Sequence, residues 1–274
     1  MKEKLISKDQ VRDFHPVFRG KYGDTFIKWG MKISGLDIVN EVYDKSKHLT
    51  GPAFCKDLLD KLGLKRTVVN AEILESFKDK PFITVSNHAY GHVDGIAAIE
   101  TVGSRVAHYR MMVNAVLGLV DTMADNFITV NPFLEDKMSS VAGVKKALQH
   151  VKNGYPLGFF PAGAISDFVW KSGLPAIEDR EWQASVIRII QKSKVPVIPM
   201  HFSGGNSARY YLRRILGRNI RTLGLCRELA NKRGKEMVIT IGEPIMPDEI
   251  TQYPDVKDLG NFLKSKTYAL AKKK

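Results

Sequence analysis

Residues Phe82 to Gly95 read FITVSNHAYGHVDG, an apolar run that stops at a polar turn containing two histidines. The first five residues show no alternation of polar and apolar side chains, which is typical of a strand buried on both faces. Asn87 and His88 follow directly, and Asp94 comes before the closing glycine. The stretch therefore predicts a buried strand with polar side chains mounted at its end.

Strands and helices alternate along the chain on the carboxyl-terminal side of this stretch. Apolar runs that predict further strands lie at residues 127–130, 156–163, 195–202 and 236–245, and amphipathic runs that predict helices lie at 95–106, 138–154 and 182–194. This alternation is typical of an α/β fold, so we predict a mixed, mostly parallel sheet flanked by helices. We expect this domain to span residues 65–274, with a helical N-terminal extension over residues 1–64.

The N-terminal extension contains an amphipathic segment at residues 24–45. Its apolar side chains recur at helical spacing among Lys, Asp and Glu, and Gly35 interrupts the pattern. We predict one or two helices, whose apolar face either packs on the core or associates with a membrane. Packing is favoured over membrane association, because interfacial helices usually carry a denser basic face.

Composition limits the class of protein. The chain has 274 residues, 44% of them hydrophobic, which supports a real core, and its formal net charge of +13 predicts an anionic partner such as a membrane surface or a phosphorylated molecule. Cys55 and Cys226 are in no metal-ligand spacing, so we expect no metal site and no disulfide framework. No signal peptide or membrane-spanning run is recognisable, which predicts a cytoplasmic protein.

The turn after the first strand has the elements of a catalytic base. Gly91 allows a tight loop that returns the Asp94 carboxylate to the His88 imidazole, which would fix one ring nitrogen and leave the other free to take a proton. His92 is an alternative partner for Asp94. A histidine after a strand is also often only a turn or capping residue, so spacing alone leaves the question open.

A second candidate segment is GFFPAGAIS, residues 158–166. A strand that ends in Pro-Ala-Gly exposes backbone N–H groups in a tight loop, and such a loop can hold an oxyanion or a phosphate. Ser166 is no evident nucleophile, because the Gly-x-Ser-x-Gly elbow is absent. A third segment, VPVIPMHFSGGNS from residue 195, reads as a core strand followed by a Gly-Gly turn.

The order of these three segments resembles the blocks of the glycerolipid acyltransferases of the bacterial phosphatidate-forming type. The resemblance covers residues 80–245 and extends to DREWQ (179–183) and IGEPI (241–245). It implies that His88 and Asp94 form the catalytic pair. It also implies that substrate or oxyanion contacts come from Asn87, Gly91, Phe160, Pro161, Gly163 and Ser166.

Two departures from the family pattern point to a side branch. Five residues separate His88 from Asp94 where the family usually has four, and the family's Phe-Pro-Glu-Gly-Thr-Arg-Ser is FPAGAIS here, with Ala162 and Ile165 in place of the acid and the arginine. Both departures are similar to those of a hemolysin-like branch that includes enzymes of ornithine and glycine lipid synthesis. The resemblance thus implies a lyso-lipid or 3-hydroxyacyl amino-acid lipid as acceptor, with lysophosphatidate as the alternative.

A basic cluster near residues 209–235 fits an anionic partner. We expect it to contact the phosphates of the acyl donor or an anionic membrane through Arg209, Arg213, Arg214, Lys232 and Arg233. Nucleic acid is less favoured, because few aromatic residues interrupt the cluster and no binding motif is present.

Together these features predict a peripheral O-acyltransferase at the inner face of the cell membrane. Acyl carrier protein or coenzyme A would carry the acyl group as co-substrate, and no cofactor is expected. The sequence is also compatible with a lipid-binding protein without catalysis, and with a thioesterase in which water replaces the acceptor.

Overall fold

The sheet at the centre of the molecule contains the strand predicted from residues 82–86. The computed structural model describes residues 12, 22–114, 120–130, 137–171, 173–213 and 218–272. In these residues, seven strands form one sheet in the order β1-β9-β8-β2-β5-β3-β4. They are β1 (Lys65–Val69), β2 (Ile83–Ser86), β3 (Arg110–Asn114), β4 (Phe127–Val130), β5 (Leu157–Phe159), β8 (Val197–Phe202) and β9 (Glu236–Ile241).

Two further strands and the helices complete the architecture. Strands β6 (Asp167–Lys171) and β7 (Leu174–Glu178) form a separate antiparallel hairpin. The described helices are α1 (Gly23–Ser34), α2 (Leu36–Ser46), α3 (Gly51–Lys61), α4 (Glu72–Glu75), α5 (His92–Gly103), α6 (Lys137–Lys152), α7 (Ala184–Ser193), α8 (Ala208–Leu212), α9 (Arg218–Ala230), α10 (Pro247–Thr251) and α11 (Val256–Ala269), with 3₁₀ turns at Asp121–Asn126 and Leu270–Lys272. None of the helices in the described ranges is long and apolar enough to cross a membrane.

Strand β2 lies in the middle of the sheet, parallel to both neighbours. It pairs with β5 on one side and β8 on the other, and all four of its residues are buried, as the unbroken apolar run predicted. The only antiparallel pair within the described sheet is β8 with β9. The predicted α/β fold with a mixed, mostly parallel sheet is confirmed. The carboxyl ends of β2, β5 and β8 therefore meet at one edge, where ligands bind in open α/β sheets.

Strand β3 and the β6–β7 hairpin were not predicted from the sequence. In β3 the sequence RMMVN contains two methionines and one valine, so it lacks the β-branched run that identified β2. The hairpin contains Pro175 inside a strand, which is tolerated because β6 and β7 pair only with each other. Both elements follow from the tertiary pairing more than from local pattern.

The N-terminal helices share the main core. Gly35, at φ 76°, separates α1 from α2, as the predicted break near this residue required. Val42 and Tyr43 of α2 and Phe54 of α3 belong to the same buried cluster as Phe82 before β2. The predicted domain boundary at residue 64 stays a prediction. The helices before this boundary share a buried cluster with residues after it.

Helix α1 packs with one side only. Ile27 is fully buried, whereas Tyr22, Phe26, Trp29 and Ile33 are 65%, 53%, 69% and 50% exposed. Their spacing of four, three and four residues places these four side chains on one face of the helix, called here the α1 stripe. The apolar residues of this segment thus divide between the two predicted positions: some pack on the core and others face outward.

Candidate active site

His88 and Asp94 meet at the carboxyl end of β2. The His88 Nδ1 atom lies 3.0 Å from Asp94 Oδ2, and Asp94 is fully buried at the start of α5. An ionised carboxylate only accepts hydrogen bonds, so the proton of this bond sits on Nδ1 and the other ring nitrogen, Nε2, carries the lone pair. Among the described residues no group bonds Nε2, and the His88 side chain is 19% exposed.

The five-residue loop between the two side chains is closed by its own backbone. The N–H groups of Tyr90 and Gly91 donate to Asp94 Oδ2 at 2.8 and 3.0 Å, so this oxygen receives three donors including His88. Gly91 has φ 91°, and a Cβ atom there would lie 2.7 Å from the Ile165 side chain. Only glycine therefore fits this position. The extra residue relative to the family pattern does not prevent the pair from forming.

His92 occupies a different position from His88. It is the first residue of α5, and no bond joins it to Asp94 in the described structure. Burial lowers the pKa of His92, and the neighbouring His88 lowers it further while Asp94 opposes the shift. The geometry pairs His88, not His92, with the carboxylate, which answers the question that spacing alone left open.

The backbone of His88 is held by two residues whose link to this histidine was not predicted. The His88 N–H donates to Asp179 Oδ1 at 3.1 Å, and the His88 carbonyl accepts from the Ser166 N–H at 2.8 Å. The Ser166 hydroxyl donates to the same Asp179 oxygen at 2.6 Å, and the Trp182 indole donates to Oδ2 at 3.1 Å. Asp179 is 1% exposed. Its three donors fix a second carboxylate beneath the histidine.

The only sequence signal for Asp179 was its place in DREWQ, a block recognised by resemblance. Neither polarity nor spacing distinguishes a buried aspartate from a surface one, because its burial depends on the chain returning to β2 after the hairpin. Ser166 was named as a candidate contact. The structure gives it a role within the protein, since its N–H and hydroxyl are bonded to His88 and Asp179.

The loop after β5 lies against the histidine ring. Phe160 stacks on His88 with ring centroids 4.2 Å apart and an angle of 22° between the planes. The buried Pro161 accepts the Gln183 N–H through its carbonyl, and the Gly163 N–H closes a turn onto the Phe160 carbonyl at 3.0 Å. Gly163 has φ 59°, so its N–H belongs to the turn itself.

Asn87 has both ends of its side-chain amide bonded to the backbone. It donates to the Phe202 carbonyl at 3.0 Å and accepts the Phe202 N–H at 2.8 Å, so it continues the pairing of β2 with β8 by one step. Gly91, as described above, holds the carboxylate. The predicted substrate contacts through these two residues stay predictions, and the structure shows that both residues shape the loop.

Lys232 requires a correction. The sequence placed it on a surface that binds phosphates or membrane, but it is 1% exposed, and its ammonium lies 4.4 Å from the centre of the Tyr90 ring. It also bonds Asn206 Oδ1 at 3.2 Å and contacts Glu228 at 3.5 Å. Burial lowers the pKa of Lys232 despite the opposing effect of Glu228. A cation held in this way packs against the loop between His88 and Asp94 and is not accessible to an external phosphate.

The remaining members of the basic cluster lie where a surface role is possible. Arg209 and Arg233 are exposed and Arg213 is half-buried. Arg214 lies outside the described residues. The predicted cluster therefore keeps three described arginines at the surface.

Comparison with known proteins matches the sequence of this chain to one family. The sequence profile of the family described as acyltransferase matches residues 33–274. A lyso-glycine lipid O-acyltransferase from Bacteroides thetaiotaomicron is 28% identical over 252 residues, which cover 88% of each chain. A protein of the same name from Phocaeicola vulgatus is 27% identical over 241 residues, which cover 85% of this chain and 83% of its own.

A solved structure shares the fold. The 1-acyl-sn-glycerophosphate acyltransferase PlsC from Thermotoga maritima matches with a TM-score of 0.52 at 17% identity, over 93% of this chain and 90% of that one. At this identity the likeness concerns the architecture.

Proposed function

Since this chain belongs to the acyltransferase family and is a lipid O-acyltransferase, we propose that its acceptor is the hydroxyl of a 3-hydroxyacyl amino-acid lipid of the lyso-glycine type. The donor in this proposal is an acyl thioester on acyl carrier protein or coenzyme A. The observation that carries the mechanism is the 3.0 Å contact between His88 Nδ1 and Asp94 Oδ2, with Nε2 left without a partner in the described structure.

In the proposed reaction, His88 Nε2 takes the proton of the acceptor hydroxyl while the oxygen attacks the thioester carbonyl. The tetrahedral intermediate then collapses as the C–S bond breaks, and the imidazolium returns the proton to the departing thiolate. The products are an ester and a free thiol. Asp94 keeps the ring in the productive tautomer and stabilises its charge in between.

The oxyanion of the intermediate needs N–H donors near His88. The Gly163 N–H, named from the sequence, closes the turn onto Phe160, and the Ser166 N–H donates to His88. The N–H groups of Ala164 and Ile165 donate to no acceptor in the described parts of the chain, and both residues are half-buried. We assign the oxyanion to this part of the loop, one or two residues beyond the predicted position.

The acceptor class is supported by what replaces the family's arginine. Ile165 packs against the apolar cluster of Tyr210, Tyr211 and Leu225, and Ala162 is buried. Ala162 stands in place of the family's acidic residue and Ile165 in place of its arginine. Neither side chain can bind a phosphate. An acceptor whose headgroup is an amino acid has no phosphate to place there, which favours it over lysophosphatidate.

The proposal places the enzyme on the inner face of the membrane. The α1 stripe presents Tyr22, Phe26, Trp29 and Ile33 to the outside, and Lys28 and Lys32 of the same helix are exposed beside it. Aromatic residues with flanking lysines suit the boundary between headgroups and acyl chains, where anionic lipids attract the cations. Arg209 and Arg233 add to the attraction.

A reconstituted assay tests the proposal. Purified enzyme receives acyl carrier protein or coenzyme A thioesters with either an N-(3-hydroxyacyl)glycine or lysophosphatidate, and both free thiol and acylated lipid are measured. We expect thiol release equal to formation of the diacylated glycine lipid. Acylated product from lysophosphatidate alone would show that lysophosphatidate, the alternative acceptor, is the substrate.

Two further results of this assay would identify a different activity. Thiol release without an acylated lipid would identify a thioesterase. Binding of the acceptor without any thiol release, from either donor, would identify a lipid-binding protein without catalysis. Each of these two results contradicts the proposed function.

A further inference from the structure

The hairpin of β6 and β7 leaves an apolar face exposed beside the catalytic pair. Phe168 pairs with Ile177 and Trp170 with Pro175, so these four side chains share one face of the hairpin, called here the Trp170 face. Phe168, Trp170 and Ile177 are 46%, 80% and 37% exposed. Such an exposed aromatic and aliphatic surface is typical of a site of interaction.

The opposite face of the hairpin is different in character. Lys171 and Glu178 form an ion pair there, and Leu174 stands opposite Lys171 with 70% of its surface exposed. A charged pair is costly to move into hydrocarbon. The two faces of one small element therefore differ in their suitability for lipid, although both contain a highly exposed apolar residue.

The Trp170 face continues onto helix α8. The Phe168 ring contacts the Tyr211 ring edge-on, with centroids 5.1 Å apart, and the next residue, Leu212, is 62% exposed. Arg209 is exposed on the same short helix. An apolar patch bordered by an arginine complements an anionic lipid surface, where hydrocarbon and negative headgroups lie next to each other.

The ends of the hairpin are joined to the catalytic histidine. Ser166 precedes β6 and Asp179 follows β7, and these two residues bond the carbonyl and the N–H of His88. They are also bonded to each other at 2.6 Å. Whatever the Trp170 face contacts is therefore connected to His88 through the two strands of one hairpin.

We propose that the Trp170 face is a second lipid-contacting surface, separate from the α1 stripe, which lies among the acyl chains of the membrane. The proposal rests on the proposed function, because a soluble substrate would need no such surface. A protein partner on the same face is the competing occupant. Lipid is favoured by the absence of charge from the face and by the arginine at its border.

Tryptophan fluorescence tests the contact without any dependence on activity. The chain has three tryptophans, of which Trp182 is buried at 5% exposure. In a Trp29→Phe variant, Trp170 is thus the exposed fluorophore. We expect vesicles of phosphatidylethanolamine and phosphatidylglycerol to shift its emission to the blue, and brominated acyl chains in the same vesicles to quench it. Replacing Trp170 with Phe in this background should abolish both signals.

Paired charge substitutions test the face. Trp170→Glu should weaken vesicle binding about tenfold or more, because it removes a large apolar side chain and adds a charge. Leu174→Glu, on the opposite face, should bind as wild type does. With short-chain acceptor and thioester in the absence of vesicles, both variants should match wild-type turnover, since neither residue touches His88.

Two results would overturn the proposal. Absence of quenching of Trp170 by brominated lipid, in protein that sediments with the vesicles, would show that another surface makes the contact. Equal weakening by Trp170→Glu and Leu174→Glu would contradict the assignment to one face. If Trp170 in the Trp29→Phe variant is quenched but neither this variant nor wild type transfers an acyl group, the lipid-contacting surface stands and the proposed function fails.

Discussion

The corner of the molecule formed by His88, Asp94 and Asp179 and the two exposed apolar surfaces, the α1 stripe and the Trp170 face, are constructed in opposite ways. In the corner, Asp94 and Asp179 are 0% and 1% exposed, and each accepts three hydrogen bonds. On the surfaces, Trp29 and Trp170 are 69% and 80% exposed and lie outside the apolar clusters of the core. Directional bonds fix the position of the proposed base, whereas the outward side chains are exposed and, in our proposal, contact lipid.

If His88 is the base and the exposed surfaces contact lipid, as we propose, catalysis and membrane binding should be separable. A change in the corner should reduce turnover while membrane binding stays, because the bonds there position reacting atoms. A change on either surface should reduce membrane binding while the chemistry on soluble substrates stays. The predictions that follow test the separation, beginning with the largest effect.

Removal of the base should have the largest effect. We expect His88→Ala to lower kcat by about 10²- to 10⁴-fold, the usual contribution of a general base, with vesicle binding unchanged. Thiol release and lipid product are measured together. His92→Gln is the matched control, because His92, the first residue of α5, has no bond to Asp94 in the described structure, and this variant should retain most activity. Equal losses in both variants would contradict the assignment of the base.

Substitution of Asp179 should have the second-largest effect on kcat, a smaller loss than that caused by His88→Ala. Asp179→Ala leaves the His88 N–H, the Ser166 hydroxyl and the Trp182 indole without their acceptor, so the histidine loses its fixed position. We expect kcat to fall roughly 10- to 100-fold with little change in KM, since small misplacements of a catalytic group are costly.

A conservative variant distinguishes positioning from loss of the fold. Asp179→Asn keeps one carbonyl oxygen for the His88 N–H and should recover part of the activity. Circular dichroism at the assay temperature checks that both variants remain folded. If a folded Asp179→Ala protein has wild-type kcat, the bonds to Asp179 do not hold the catalytic geometry.

Part of the arrangement around His88 could be predicted from the sequence. An unbroken apolar run identified β2, because such a run is a local property, and the polar residues after it left His88 and His92 as alternative partners of Asp94. The resemblance to a family selected His88, and the structure pairs it with Asp94. Closure of the longer loop depended on the Tyr90 and Gly91 N–H groups, whose direction no sequence pattern shows.

The contacts of Asp179 and Lys232 could not be predicted from the sequence, because they join residues that lie far apart in the chain. Asp179 reaches His88 only because the hairpin returns the chain to β2, and Lys232 is buried only because the Tyr90 ring and Glu228 enclose it. A basic residue among basic residues gives no sign of burial. The hairpin is local and was missed for a different reason: Pro175 lies inside β7, and a proline within an apolar run argues against a strand.

The α1 stripe should respond in membrane binding alone. We expect Trp29→Glu to weaken binding to vesicles containing phosphatidylglycerol by roughly tenfold, because an interfacial aromatic is replaced by a charge that anionic lipid repels. Turnover of short-chain substrates without vesicles should be unchanged. Co-sedimentation measures the first quantity and thiol release the second.

Leu174→Glu is the matched control for this variant. Leu174 is 70% exposed and belongs neither to the α1 stripe nor to the Trp170 face. It replaces an exposed apolar side chain with the same charge. If it weakens binding as strongly as Trp29→Glu, general electrostatics and not the apolar stripe controls membrane association.

The smallest effect should appear in how much the free energy of unfolding decreases at acidic pH, and it depends on the buried His201. His201 lies on β8 next to Phe202, whose backbone bonds Asn87, and its ring meets the Tyr268 ring edge-on at 5.9 Å. Burial lowers the pKa of His201, and Asp94 opposes the shift in part. Below the ordinary histidine pKa of about 6.5, the unfolded chain therefore binds more protons than the folded one.

The free energy of unfolding should consequently decrease as the pH is lowered through this range, by at most about 1.4 kcal/mol per pH unit for one proton. We expect His201→Phe to lose less stability than wild type between neutral pH and about pH 5.5, because its ring does not titrate. Urea unfolding at each pH gives the free energies. Vesicle binding should keep the same pH dependence in both proteins, since the exposed surfaces do not include His201. If the free energy of unfolding of wild type and of His201→Phe changed equally with pH, protonation of His201 would not destabilise the folded protein.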